Sequence, residues 1–222
     1  MSRDYIQEII ERKERLLKRT EIRDQYDRRV HPLVQAFRML EKSKISQPIK
    51  SELLKYIPIG LVACIEGYCR LAIKELIDSG EPYLGRAAEL EDVRFKPETI
   101  VAIVARKITL GDYIAHLVSL NNLEGINRVF SILTGEDWLA RIKTIDTLTL
   151  ETSKAYKLER PLVMDTEIDD FKELFRMRHI LSHELALREK VGVRRIQRCV
   201  SAAGAFILAL NEYIRVLLPP KA

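Results

Sequence analysis

The amino-acid sequence predicts an all-α protein: an up-and-down helical bundle with a long N-terminal helical extension and a helical insertion. Apolar residues recur at intervals of three and four along nearly every segment, which is the period of a helix and not of a strand. Gly, Pro, Asn and Thr interrupt this pattern at short intervals, as helix ends do. An apolar fraction of 47% in 222 residues is enough for a buried core.

Residues 1–45 are the predicted extension, with one long helix or two over residues 4–42. Asp4 and Gln7 have the spacing of a capping box, and Pro32 predicts a kink or a restart. Residues 1–44 contain twelve Lys and Arg and eight Asp and Glu, so they carry 12 − 8 = +4 of the net charge of +5. This excess permits nucleic-acid binding, although paired charges on a solvated helix face explain most of it. We expect this segment to serve dimerisation or partner docking.

Residues 46–222 are the predicted bundle. Its first helix runs from about Ile49 to Asp78 and bends at Pro58. One apolar stripe follows this helix: Leu54, Leu61, Ile65, Cys69, Ala72 and Leu76. The inserted region, at about 85–160, is predicted to contain four short helices and then a loop or hairpin. Those four helices are expected at 98–107, 110–120, 122–134 and 136–143, separated by Thr109, Asn121–Asn122 and Gly135.

Two longer helices are predicted to complete the bundle. The first spans about 166–187 and is capped by Asp165 or Thr166. The second spans about 193–218, after a break at Gly192. Its stripe alternates steps of three and four without interruption: Val193, Ile196, Val200, Ala203, Ile207, Leu210, Ile214 and Leu217.

The composition indicates a soluble cytoplasmic protein. Cys64, Cys69 and Cys199 are odd in number and lie among apolar residues, so we expect reduced core thiols. No uninterrupted apolar run approaches the roughly 18 residues of a membrane span, and the N-terminus does not resemble a secretory signal. The sequence contains no P-loop, G-x-G-x-x-G or G-x-S-x-G motif, which argues against an NTPase, a dinucleotide enzyme or an α/β-hydrolase.

The segment FKELFRMRHILSHEL, residues 171–185, places charged side chains within an apolar stripe. On a helical wheel Arg178 points to the centre of the apolar arc, and His179 and His183 form one ridge on its flank. A buried guanidinium requires a partner: a carboxylate such as Glu66, another subunit, or a phosphate. Ser182 lies between Arg178 and the histidines. The surrounding basic side chains predict a positive electrostatic potential that attracts phosphate: Arg176, Arg188, Lys190, Arg194, Arg195 and Arg198.

This segment resembles the signature of HEPN domains, an all-α superfamily of nucleotide-binding proteins and ribonucleases in prokaryotic defence and RNA processing. The family motif is Arg, often followed by Asn, Asp or His, and then His after four to six intervening residues. RHILSH matches it with Arg178, His179 and His183. The segment LVACIEGYCRLAIKELI, residues 61–77, is similar to the family's bundle helix. The resemblance covers about residues 50–80 and 165–218, and it extends to the RiboL-PSP and abortive-infection-like ribonucleases.

The resemblance implies a metal-independent endoribonuclease that uses no cofactor. RNA would bind in a cleft between two copies of the chain, and an antitoxin or other defence protein is an expected partner. His183 would move a proton and Arg178 would stabilise the phosphorane, whereas His179 would orient the substrate or act as a second acid/base. Glu66 is the candidate carboxylate that orients Arg178. The predicted substrate-binding residues are Ser182, Arg176, Arg188, Arg194 and Arg195.

Two other interpretations remain open at the level of sequence. His179 and His183 have the spacing of a helical pair of metal ligands, although no Glu lies between them as in H-E-x-x-H. Alternatively, the chain is a non-catalytic helical module that binds RNA, nucleotide or protein. The presence of both Arg178 and His183 favours the enzyme, since a degenerate relative would more naturally lack one of them.

Overall fold

A computed structural model describes residues 5–15, 22–90, 96–105, 107–145, 163–183 and 191–218, except for the side chains of residues 22–26 and 183. Every regular element in these ranges is helical, which confirms the all-α class. The eleven α-helices of these ranges are α1 (Tyr5–Arg15), α2 (Ile22–Lys42), α3 (Gln47–Leu54), α4 (Tyr56–Asp78), α5 (Tyr83–Arg86), α6 (Pro97–Val104), α7 (Leu110–Leu117), α8 (Leu123–Thr134), α9 (Trp138–Lys143), α10 (Asp165–His183) and α11 (Val193–Leu217). The finer prediction of an up-and-down, HEPN-like bundle stays a prediction.

The two prolines expected to kink or interrupt helices both lie within helices, Pro32 in α2 and Pro58 in α4. Pro32 lies inside α2, which continues through it, so the helix does not restart there. The helix predicted over residues 49–78 is broken at Lys55 and not at Pro58. Pro58 lacks the N–H that would bond the carbonyl of Leu54, so α3 ends at Leu54 and Pro58 falls in the first turn of α4, where that N–H is not needed.

The chain forms two compact units, each built from two stretches of sequence. Unit 1 comprises Met1–Gln25 and Gly67–Trp138, and unit 2 comprises Tyr26–Glu66 and Leu139–Ala222. The first stretch of each unit therefore ends inside a helix, α2 in one case and α4 in the other. The predicted division into residues 1–45 and 46–222 follows a different boundary and stays a prediction.

In unit 1, helices begin or end at the predicted positions Thr109, Asn122 and Gly135, because capping interactions form there. Thr109 and Asp112 form a reciprocal capping box at the start of α7, with both hydrogen bonds at 3.0 Å. The Asn122 side chain accepts from the N–H of Gly125 at 2.7 Å and caps α8. Gly135 ends α8 at φ 73°, a left-handed conformation that favours glycine. The predicted breaks at these positions are confirmed.

Helix α1 is part of the core of unit 1. Its Ile9 is buried and clusters with the buried residues Ala102, Ile108 and Tyr113. Helix α1 packs against α7, and α5 packs against α8. The capping box predicted from Asp4 and Gln7 lies partly outside the described residues, because Asp4 is not among them.

The hairpin of α10 and α11 forms the centre of unit 2. Phe171 of α10 stacks on Phe206 of α11 with ring centroids 3.9 Å apart. The predicted stripe of α11 points inward, since five of its eight members are buried: Ile196, Ala203, Ile207, Leu210 and Ile214. Helix α10 begins at Asp165, so its N-cap is Met164, whose N–H donates to the Glu167 carboxylate at 3.2 Å. The predicted caps at Asp165 and Thr166 were therefore wrong by one or two residues.

Two helical segments are long and apolar enough, by length and composition alone, to cross a membrane: Gln47–Asp78 and Val193–Leu217. About half of the most apolar window of each is buried within the protein, as in the core helices of soluble proteins. These segments are weak evidence for a membrane protein.

Candidate functional site

Arg178 is held by Glu66 of α4. The guanidinium Nη2 donates to the carboxylate Oε1 at 3.2 Å, and the two side chains are 27% and 20% exposed. Both residues belong to unit 2. Arg178 therefore lies on the packed side of α10, where the helical wheel placed it, and it is paired with the acid that the sequence suggested. Its role in a reaction stays a prediction.

The polar residues that follow Arg178 lie near the C-terminal end of α10. His179 and Ser182 are exposed. Position 183 is the last residue of the helix, but the side chain of His183 lies outside the described residues, as does all of Arg188. The structure thus places Arg178 and His179 on consecutive positions of a helix whose inner face is buried, with Ser182 one turn further on.

Two of the predicted substrate-binding arginines meet at Glu173. Arg176 donates from Nε to Oε2 at 2.7 Å and from Nη2 to Oε1 at 3.0 Å. Arg195 of α11 donates from Nε to Oε1 at 2.7 Å, and its Nη2 also contacts that oxygen. The hydrogen bond from Arg176, opposed by partial burial and supported by Arg195, lowers the pKa of Glu173. This triad is an ion-pair network with one excess positive charge.

Further ion pairs follow the same hairpin. Arg198 lies 3.3 Å from the Asp170 carboxylate, and Arg194 is exposed. Glu173 pairs with Arg195 and Asp170 pairs with Arg198, which is the order expected for two antiparallel helices. Sequence reasoning missed Glu173 as a partner. Its spacing of three from Arg176 was a visible signal, whereas its contact with Arg195 depends on the hairpin register.

The described cysteines do not supply a reactive thiolate at this face. Burial raises the pKa of Cys199 to about 12, and Asp170 adds to the shift. Burial also raises the pKa of Cys64. All three cysteines are buried and none forms a disulfide, which agrees with the expectation of reduced core thiols.

Among the described residues, no three His, Cys, Asp or Glu side chains are grouped closely enough to hold a metal ion. Because the side chain of His183 lies outside this set, the proposed pair of His179 and His183 stays a prediction.

Comparison of the chain with models of protein families, with curated proteins and with solved structures returned no match. The site must therefore be interpreted from its own chemistry. It offers a fixed guanidinium, an exposed imidazole beside it, and a second histidine position one turn along the same helix. A guanidinium can neutralise a phosphate, and an imidazole can donate and accept protons.

Proposed function

We propose that the protein is a metal-independent endoribonuclease of the HEPN type, with its active groups on the C-terminal half of α10. The observation that carries this proposal is the ion pair between Arg178 and Glu66, which holds one guanidinium in a defined, partly buried position beside His179. Preorganised positive charge is what a phosphoryl-transfer transition state requires, because reorganisation at the moment of reaction is avoided.

The proposed reaction is a transesterification within the RNA. The 2′-oxygen forms a bond to phosphorus while the bond from phosphorus to the 5′-oxygen breaks. His183 takes the proton of the 2′-hydroxyl, and His179 or water returns a proton to the leaving oxygen. Arg178 neutralises the developing charge on the phosphorane. The products carry a 2′,3′-cyclic phosphate and a 5′-hydroxyl, and no metal or cofactor takes part.

The proposal includes a homodimer, because one helix supplies few reactive groups and a two-fold pairing would bring a second set into the cleft. RNA is the substrate, with Ser182, Arg176, Arg188, Arg194 and Arg195 lining its path. An antitoxin or another defence protein is the proposed regulatory partner. The proposed location is the cytoplasm, where the buried free thiols would stay reduced.

The test is RNA cleavage by purified protein, with and without EDTA. Total RNA and defined single-stranded oligonucleotides serve as substrates, with DNA of the same sequence as the substrate that lacks the 2′-hydroxyl. We expect RNA to be cut in EDTA, DNA to be spared, and Arg178→Ala and His183→Ala to lose at least about 100-fold in rate. Arg141→Ala and His31→Ala, both exposed and on other helices than α10, are the matched controls.

Three results would count against the proposal. Loss of cleavage in EDTA would point to the metal site at His179 and His183. Cleavage that persists in both active-site variants would indicate a contaminating nuclease. No cleavage of any RNA by the wild type would leave the second candidate function.

That second candidate is a non-catalytic module that binds RNA or protein. It is favoured by the triad at Glu173, where the contacts of Arg176 and Arg195 with one carboxylate hold the hairpin together, a structural role that needs no catalysis. Such a module would bind labelled RNA, detected by fluorescence anisotropy, without cutting it, and binding would be retained in His183→Ala.

A further inference from the structure

A small recess in unit 1 is lined by more cations than carboxylates. It lies between α1, α4 and α7 and has a volume of about 20 Å³. Its charged lining residues are Arg12 and Lys13 of α1, Arg70 and Lys74 of α4, and Asp112 of α7. Four cations therefore surround one carboxylate, and the cavity is large enough for about one oxygen atom.

Three of the four cations are engaged in contacts that hold unit 1 together. Lys13 pairs with Asp112 at 2.9 Å and donates to the carbonyl of Lys107 at 3.3 Å. Lys74 pairs with Asp78 at 2.7 Å.

Arg70 completes the set by satisfying carbonyls at the end of α7. It donates to the carbonyl of Ala115, to that of His116 at 3.0 Å and to that of Val118 at 3.4 Å. These carbonyls have no intrahelical partner, so Arg70 caps the helix. The positions of Lys13, Lys74 and Arg70 are thus explained by the fold.

Arg12 is different. Its guanidinium donates no hydrogen bond to any residue within the described ranges, although it is partly buried. Burial lowers the pKa of Arg12 to about 10, repulsion by Arg70 adds to the shift, and Asp112 offsets only part of it. The fold therefore keeps a desolvated guanidinium next to a second one, an arrangement that is unfavourable unless something else balances it.

We propose that this recess binds a phosphate group, either inorganic phosphate or the terminal phosphate of a monoester. One phosphate oxygen enters the recess and the others remain at its mouth, where Arg12 donates through two of its N–H groups. The planar guanidinium matches two phosphate oxygens at once, and Arg70 and Lys13 supply fixed positive charge behind it. The site lies within unit 1 and is independent of the function proposed for α10.

The experiment is calorimetric titration of the full chain at constant ionic strength, with inorganic phosphate and with adenosine monophosphate as separate probes. We expect both to bind the wild type, and the tighter of the two identifies the source of the phosphate group. Arg12→Gln should weaken binding at least about tenfold, because a charge-assisted pair of hydrogen bonds is lost. Arg15→Gln removes the same charge one turn further along α1, from an exposed position outside the recess, and should change the affinity less than about twofold.

The melting temperature is a second readout, which distinguishes a loss of binding from misfolding of the variant. Without phosphate, Arg12→Gln should melt at or above the temperature of Arg15→Gln, because it removes a repelled and desolvated charge. Phosphate should raise the melting temperature of Arg15→Gln but not that of Arg12→Gln. If Arg12→Gln does not fold, Arg12→Lys keeps the charge, loses the planar fork, and should still bind several-fold more weakly.

The proposal is overturned if the wild type binds neither probe up to about 10 mM, a concentration above the dissociation constant of even a weak specific complex. It is also overturned if Arg12 and Arg15 variants lose affinity equally, or if chloride at the same ionic strength reproduces the effect of phosphate.

Discussion

The two charged regions of this protein differ in how their cations are balanced. On the hairpin of unit 2, Arg178 faces Glu66, and Arg176 and Arg195 share Glu173. In unit 1, by contrast, four cations line one recess with a single carboxylate, Asp112. The pairs in unit 2 leave one excess positive charge, at Glu173, whereas the four cations of the recess exceed Asp112 and the Asp78 partner of Lys74 by two. The difference indicates that the recess has more positive charge available to bind an anion than the hairpin has.

This contrast also implies different sensitivities to mutation. Removing a carboxylate from a pair leaves one unpaired cation, but removing Asp112 leaves Lys13 unpaired and also takes away a charge that attracts Arg12 and Lys74.

Asp112→Asn should give the largest loss of stability, about 2–4 kcal/mol in free energy of unfolding. The substitution keeps the shape of the capping residue of α7 but removes the only carboxylate in the recess. Urea denaturation measures the loss, and added phosphate should recover part of it. Asp169→Asn, at an exposed position of α10, is the control and should cost less than about 0.5 kcal/mol. Equal losses in the two variants would contradict the contrast between the regions.

Glu66→Gln should destabilise the protein by about 1–2 kcal/mol, less than a fully buried pair would, because water reaches both partners. Adding Arg178→Gln should recover part of this loss, since no partly buried charge is then left unpaired. A double-mutant cycle by urea denaturation measures the coupling. Asp165→Asn, which breaks the exposed pair with Lys143, provides the control. Additive effects of the two substitutions would show that the pair does not contribute.

Acid should weaken the protein partly through Glu173. The hydrogen bond from Arg176 lowers its pKa in the folded state, so this carboxylate stabilises the fold at pH values above its ordinary value of 4.5. That contribution is lost as the pH falls through the lowered value. Between about pH 5 and pH 3, Glu173→Gln should therefore lose less stability than the wild type. Unfolding measured at several pH values tests this, with the exposed Glu89→Gln expected to follow the wild type.

Arg198→Ala should have the smallest effect, below about 0.5 kcal/mol. Its pair with Asp170 leaves the Arg198 side chain 66% exposed, so solvent and salt screen the attraction. Thermal unfolding in low and high salt provides the measurement. A loss as large as that of Glu66→Gln would mean that the surface of the hairpin is more constrained than its exposure indicates.

The sequence predicted helix positions well where a local rule applies. Thr109, Asn122 and Gly135 were identified as separators because capping and left-handed glycine depend on a few neighbouring residues. The inward stripe of α11 followed from helical period alone. The bend was predicted at Pro58, but the helix breaks at Lys55. Proline has no N–H to bond the carbonyl four residues before it, so its effect falls at Leu54 and Lys55 and not at the proline itself.

The candidate site was only partly predictable. Helical geometry placed Arg178 towards the packed side of α10, and Glu66 was a reasonable partner because it is an acid within an apolar stripe. The link between Glu173 and Arg195 was not predicted, since it requires the antiparallel register of two helices. The recess around Arg12 was missed as well. Residues 1–44 were interpreted as a solvated extension, yet Ile9 of α1 is buried in the core of unit 1.

By itself, the sequence determined the helical class, most helix boundaries and the face on which Arg178 lies, because capping, chain period and backbone restrictions act over three or four residues. Tertiary structure decided which charges meet. Whether a cation meets one carboxylate, as Arg178 does, or shares a carboxylate with other cations, as Arg12 does, depends on residues brought together from distant parts of the chain. Electrostatic energies fall off with distance in space and not with separation in sequence, so only the folded chain assigns the partners.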